Sequence, residues 1–183
     1  CALLCVAELC NSLKAYAIPQ LPEFMPLVIK EMKKGDQLSS NELYMLSIVT
    51  AVQKVTENLS VFLSPYLENI MFNICCLSSE EEDIFQKPQL QQRLKAIRHT
   101  LATSLPPRVL LPVVATCYHK LEKKEKFASI CSLMSVLEDH IKSMSKEDLT
   151  AHIQDLQKFF IDSLNFRFLH CEHPEKQISA VES

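Results

Sequence analysis

The sequence predicts an all-α protein, a solenoid of about four helix pairs, and three observations predict it. A single Gly among 183 residues leaves almost no position for the positive-φ turns of hairpins. The good helix formers Leu, Lys, Glu, Gln, Met and Ala dominate instead, and apolar residues recur at helical spacing. Lastly, three proline-headed segments repeat: Leu21-Pro22-Glu23-Phe24-Met25-Pro26, Leu63-Ser64-Pro65-Tyr66-Leu67, and Pro106-Pro107-Arg108-Val109-Leu110-Leu111-Pro112. Pro22, Pro65 and Pro107 stand 43 and 42 residues apart, and a further step of 42 reaches Leu149, beside the helix start at Ser145-Lys146-Glu147-Asp148.

A period in the forties built of helix pairs is that of HEAT or armadillo arrays, which bind far more often than they catalyse. The first helix is expected over about 2–16, with the stripe Leu3, Val6, Ala7, Cys10 and Leu13. The second starts at Pro22, since a proline in the first turn gives up an N–H that has no partner anyway. It ends near residue 34, where Lys30, Lys33 and Lys34 suit the negative end of the helix dipole and Gly35 is a stop. Ser39 and Glu42 form a capping box for a third helix over about 40–60, whose stripe is Leu43, Leu46, Val49, Val52, Val55 or Thr56, and Leu59.

Pro65 opens the fourth helix, about 65–77, with Leu67, Ile70, Met71 and Ile74 inward. Ser78-Ser79-Glu80-Glu81-Glu82-Asp83 reads as a polar connection. A fifth helix, about 87–103, carries Leu90, Leu94, Ile97 and Leu101; Pro107 opens a sixth, to about 120. The seventh, about 123–142, presents Phe127, Ile130, Leu133 or Met134, and Leu137. Ser145, with Asp148 three residues on, caps the eighth, about 146–166, through Leu149, Ile153, Leu156, Phe159 and Phe160.

These pairs give an array over residues 1–167, with repeats at about 1–35, 39–78, 86–120 and 122–167, followed by a polar tail over 168–183. The stripe already runs at Cys1 without a cap, and solenoids need polar end repeats. The stretch is therefore expected to be part of a longer array.

Composition narrows the function classes. A net charge of −3 supplies no global field toward nucleic acid or anionic lipid. No run approaches the roughly 20 apolar residues that span a bilayer, and the apolar start Cys1–Val6 lacks the basic leader of a signal peptide and meets Glu8 at once. The eight cysteines fall on helix faces, as free thiols kept in a reducing compartment.

No constellation carries chemistry. Cys117-x-His119 and the lone Cys131 could suggest a nucleophile and base, but Cys117 and His119 point to different sides of a helix and do not meet, and no Gly-rich turn supplies an oxyanion site. His170, Cys171 and His173 look like half of a zinc site without its second pair. The acidic run Glu80–Asp83 lacks the alternating oxygens and Gly turn of a calcium loop. No phosphate loop, dinucleotide fingerprint or HExxH occurs. The expectation is therefore no catalytic, cofactor-binding or metal-binding residue, no cofactor and no small-molecule substrate. Three basic clusters remain: Lys30/Lys33/Lys34, Arg93/Lys95/Arg98, and Lys120/Lys123/Lys124/Lys126. Placed along one edge, they would make a strip able to track phosphates. No aromatic residues are interleaved to stack bases.

The segments Ala17-Ile18-Pro19-Gln20-Leu21-Pro22 to Pro26, Phe62-Leu63-Ser64-Pro65-Tyr66-Leu67 and Leu105-Pro106-Pro107-Arg108-Val109-Leu110-Leu111-Pro112 together resemble one family. It is the very large nucleolar HEAT-repeat proteins associated with the U-three small nucleolar ribonucleoprotein. The resemblance covers the whole chain, as the stretch before that family's C-terminal domain. It implies a non-catalytic scaffold of the small-subunit processome in the nucleus and nucleolus, supporting pre-rRNA processing and ribosomal DNA transcription. It implies as partners other processome proteins, with pre-rRNA or snoRNA touched through the backbone, and no membrane. The alternative is a HEAT-repeat transport or trafficking adaptor that binds peptide or protein ligands.

Overall fold

The computed structural model describes residues 2–34, 41–79 and 87–169, with side chains as far as Leu164. Its elements are α1 (Ala2–Leu13), a 3-10 helix (Lys14–Gln20), α2 (Leu21–Met32), α3 (Glu42–Leu59), a 3-10 turn (Ser60–Phe62), α4 (Leu67–Ser79), α5 (Pro88–Ser104), α6 (Pro107–Lys123), α7 (Phe127–Ser143) and α8 (Lys146–Leu169). Among the described residues there is no strand. Gly35, Ser39, Glu80–Asp83, His170, Cys171, His173 and most of the tail over 168–183 lie outside the described residues.

The helices form two layers. In the first, α1, α3, α5 and α7 lie side by side; in the second are α2, α4, α6 and α8. Polar pairs fix the register of the first layer. Asn58 donates to Asn11 Oδ1 at 3.3 Å, Lys87 pairs with Glu42, Arg93 donates to Gln53 at 2.9 Å, and His99 lies 3.2 Å from Asp139. Asn11 and Asn58, and His99 and Asp139, hold similar positions in consecutive first-layer helices, and the Glu42–Lys87 and Gln53–Arg93 pairs follow one another in the same order along α3 and α5, so those helices run parallel. In the second layer the first half of α4 meets the end of α6, in the same chain order: Glu68 meets Cys117 and Lys120, and Lys124 lies over the Phe72 ring, 4.9 Å from its centroid.

One continuous core joins the layers. It runs from Cys10 through Met45, Ile48, Leu67, Ile74, Leu94, Leu101, Leu110, Leu121 and Leu133 to Leu156. The expected faces of α4 and α5 are buried in full: Leu67, Ile70, Met71 and Ile74, then Leu90, Leu94, Ile97 and Leu101. Each helix covers its neighbour's apolar face, which is how a solenoid is stabilised.

Local chemistry corrects several expected boundaries. α1 stops at Leu13, and Lys14 enters the left-handed region at φ 48°. The 3-10 turns beyond absorb Pro19, which has no N–H for an α-helical bond. Leu13 is consequently exposed. For α3, the cap is Asn41, whose side chain accepts from the Tyr44 N–H at 3.1 Å, in place of the expected Ser39. Leu43, expected inward, is 76% exposed. The buried stripe is instead Met45, Ile48, Val49, Val52, Val55, Thr56 and Leu59, and Leu43 lies roughly 200° around the helix from Met45. α4 begins two residues after Pro65, which sits in a turn closed by Tyr66 N–H to Leu63 O at 2.8 Å.

The Ser145 cap of α8 forms as expected: its hydroxyl accepts from the Asp148 N–H at 3.0 Å. The face of α8 does not. Leu156 is buried and Leu149 and Phe159 are partly covered, whereas Ile153 and Phe160, roughly 40–60° around the helix from Leu156, are exposed.

Candidate functional site

Two surfaces bear on function, a basic edge and a groove. Because the first-layer helices are parallel, the N-terminal ends of α3, α5 and α7 share one edge. Lys30, Lys33 and Lys34 end α2 on that edge, and Lys120, Lys123, Lys124 and Lys126 end α6 on it. Arg93, Lys95 and Arg98 do not join them; they lie on α5 in the other layer, with Arg93 held by Gln53. Two of the three clusters therefore line up and the third does not.

Several of these lysines are already committed. Lys34 pairs with Glu31 at 2.7 Å, Lys120 pairs with Glu68, and Lys124 covers Phe72. Lys30, Lys33 and Lys123 are exposed and enter no ion pair among the described residues. Glu31 also accepts from the Tyr44 hydroxyl at 2.7 Å, which ties α2 to α3 across the turn. The Lys34 and Tyr44 hydrogen bonds hold the Glu31 carboxyl below the usual glutamate range, and the same bond raises the Tyr44 phenol.

The groove lies between α6 and α8, with a volume of about 500 Å³. Its apolar walls are Leu111, Val114, Leu156 and Phe159, and Leu137 of α7 reaches it from below. Arg108, Lys158, Asp155 and Asp162 line it with both signs of charge. His119 sits 3.2 Å from Glu122, and His152 sits 3.5 Å from Asp155. Pro112, inside α6, cannot donate to the Arg108 carbonyl one turn back, so that acceptor lacks its helical donor beside the groove.

Tyr118 closes one end. Its ring meets Phe159 edge-on at 5.3 Å, beside Ser163, whose hydroxyl donates to the Phe159 carbonyl at 2.8 Å. Burial pushes the Tyr118 phenol up. The sequence reading missed the groove. The available signal was the wide apolar arc of α8, running through Phe159, Leu156, Phe160 and Ile153, of which the groove uses only the Leu156/Phe159 part.

The thiols are placed as core residues. Cys75 and Cys117 are fully buried; burial drives the Cys75 thiol far up and pushes Cys117 up to about 12. Cys117 donates weakly to the Glu68 carbonyl at 3.5 Å, and His119 is exposed beside Glu122, so the two do not meet. No group of three or more His, Cys, Asp or Glu side chains suited to a metal occurs among the described residues. Among them, too, no helix is long and apolar enough to cross a membrane.

Two parallel layers, a period of 42–43 residues and one shared core define a helical-repeat solenoid. The comparisons with known proteins narrow this. No protein-family model matches the chain. It is 42% identical over 182 residues to HEAT repeat-containing protein 1 of Homo sapiens, and 41% identical over 181 residues to that of Danio rerio. A Drosophila melanogaster homolog of the same name is 30% identical over 90% of the chain. The chain belongs to the HEAT repeat-containing protein 1 family, as a segment: it spans all of its own length but only 8% of the human relative.

Proposed function

We propose that this segment is a non-catalytic scaffold in nucleolar ribosome biogenesis, supporting pre-rRNA processing in the small-subunit processome and ribosomal DNA transcription. The observation that carries the reading is identity of 41–42% along the whole chain with relatives named HEAT repeat-containing protein 1, joined to the nucleolar family the proline-headed segments resemble. The burial of Cys75 and Cys117, which holds both thiols protonated, is consistent with it. Partners in this reading are other processome proteins, with RNA backbone touched at the Lys30/Lys33 and Lys123 edge.

Tagging the full-length protein, locating it, and identifying what co-purifies before and after nuclease treatment tests this. Nucleolar staining and recovery of small-subunit precursors are expected. Recovery of none would overturn it. One observation favours the second reading, a transport or trafficking adaptor: the groove between α6 and α8 has apolar walls and paired charges, as a peptide-binding cleft would. Cargo or coat proteins in the same purification, without ribosomal precursors, would select that reading.

A further inference from the structure

α6 and α8 meet where Tyr118 touches Phe159, and between that contact and Pro107 the groove holds them apart. The preceding pair of the second layer is closed at the matching place, where Cys117 lies 3.5 Å from the Glu68 carbonyl and Lys120 pairs with Glu68. The groove leaves Leu111 and Phe159 only partly covered on its walls. Its length and volume decide what fits. From Arg108 to His119, α6 rises roughly 16 Å. A helix of that length and about 10 Å across fills roughly 1,200 Å³, more than twice the 500 Å³ of the groove. An extended run of about five residues covers the same length at roughly 3.3 Å each, and its first, third and fifth side chains point to one side.

The charges on the lining set what those side chains are. Arg108 stands at the start of α6, and Asp162 stands at the Tyr118 end, three residues beyond Phe159. Both are exposed, and neither enters an ion pair among the described residues. Asp155 is already engaged by His152 at 3.5 Å. Lys158 lies between Asp155 and Asp162 on α8 and pairs with neither among the described residues. The groove thus offers an open cation at one end and an open carboxylate at the other. The Arg108 carbonyl, left without a helical donor by Pro112, is an acceptor that an extended backbone can use. A nucleic-acid backbone fits less well, because Asp155 and Asp162 would repel its phosphates.

We infer that the groove binds an extended segment of another protein that carries an acidic, an apolar and a basic side chain at alternate positions. The carboxylate meets Arg108, the apolar group fills the space between Leu111 and Phe159, and the cation meets Asp162. Either chain direction satisfies this order. The site is the groove that favours the adaptor reading, but a processome protein can present such a segment as well as a cargo can, so failure of a peptide test leaves the co-purification result standing.

The test uses the full-length protein and three capped synthetic peptides, Glu-Ser-Bpa-Ser-Lys, Lys-Ser-Bpa-Ser-Lys and Glu-Ser-Bpa-Ser-Glu, where Bpa is the photo-crosslinker p-benzoylphenylalanine. The mixed-charge peptide should label residues within 107–119 and 152–163, at least about fivefold more than either like-charged peptide, since each of those sets like charges together at one end. Arg108→Glu should move the preference to the two-lysine peptide, and Asp162→Lys to the two-glutamate peptide. Both positions are exposed, so neither change threatens the fold. Equal labelling by the three peptides, a preference that the substitutions do not move, or labelling only elsewhere would each overturn the inference. So would an unlabelled groove, as when a second copy or another part of the same chain covers it.

Discussion

His140 closes the open end of α5. The last carbonyls of a helix have no donor within it, and for Ala102 the residue four along is Pro106, which has no N–H. The buried His140 supplies the missing donor, Nδ1 to Ala102 O at 2.6 Å, while its Nε2 has no partner. Asn would keep a donor at the Nδ1 position and remove the orphaned nitrogen; Leu would leave the carbonyl bare. His140→Leu should therefore be less stable than His140→Asn by about 1 kcal/mol in urea unfolding. Equal midpoints would show that the bond contributes nothing.

Glu31 gives stability a pH dependence of known sign. Its carboxyl is held below the ordinary 4.5 by the Lys34 and Tyr44 hydrogen bonds. The unfolded chain consequently binds more protons in that window, and stability rises with pH across it. The contribution is present above the ordinary glutamate range and is lost as pH falls through the depressed folded value. Glu31→Gln should flatten the urea-midpoint profile below pH 4.5, and an unchanged slope would contradict the assignment.

The thiols separate in the same way, by burial. Cys5 is exposed, whereas Cys10, Cys75 and Cys117 are buried with raised thiols. Mass-spectrometric mapping of alkylation should find Cys5 modified in the folded protein and the other three only after unfolding. Rapid modification of Cys117 in the native state would reopen the case for a nucleophile.

Among the elements, the turn between α6 and α7 shows what a chain with one glycine gives up. Lys126 N–H bonds Leu121 O at 3.0 Å and Glu125 N–H bonds Glu122 O at 2.9 Å, the pattern of a Schellman motif. Its left-handed position is held by Glu125, at φ 54°. Glycine accepts that conformation without steric cost, so Glu125→Gly should stabilise the fold by up to about 1 kcal/mol. A fall in melting temperature would show that the Glu125 side chain has a role of its own. Two helix starts were legible in the sequence because their signals are local, Pro107 at α6 and Ser145 with Asp148 at α8, whereas the expected starts at Ser39 and Pro65 gave way to Asn41 and Leu67. Faces were less so. Leu43 and Phe160 fit a 3.6-residue pattern as well as their buried neighbours do, and only the placement of adjacent helices decides which stripe is covered.

At the scale of the molecule, the array was readable from a proline period, because the same turn must recur wherever the same pair of helices recurs. The basic clusters were not assignable in this way. Arg93 and Lys30 look alike in sequence, and only the layer each helix joins separates them. If the edge meets RNA, replacing Lys30, Lys33 and Lys123 by Ala in the full-length protein should make the dependence of log affinity on log salt shallower by about 2, from roughly 0.7 per phosphate on a single strand. An unchanged slope would place the RNA contact, if any, elsewhere.

The polar pairs of the first layer join residues about 40 positions apart, such as Arg93 to Gln53 and His99 to Asp139, and tie each helix to the next one in its layer. Such a stack behaves as a chain of hinges in series. A small rotation at one pair, say where His99 meets Asp139, swings everything beyond it as a lever does. In an array as long as the human relative, of which this segment matches 8%, modest slippage at successive pairs would add up to a large displacement of whatever is held at the far end.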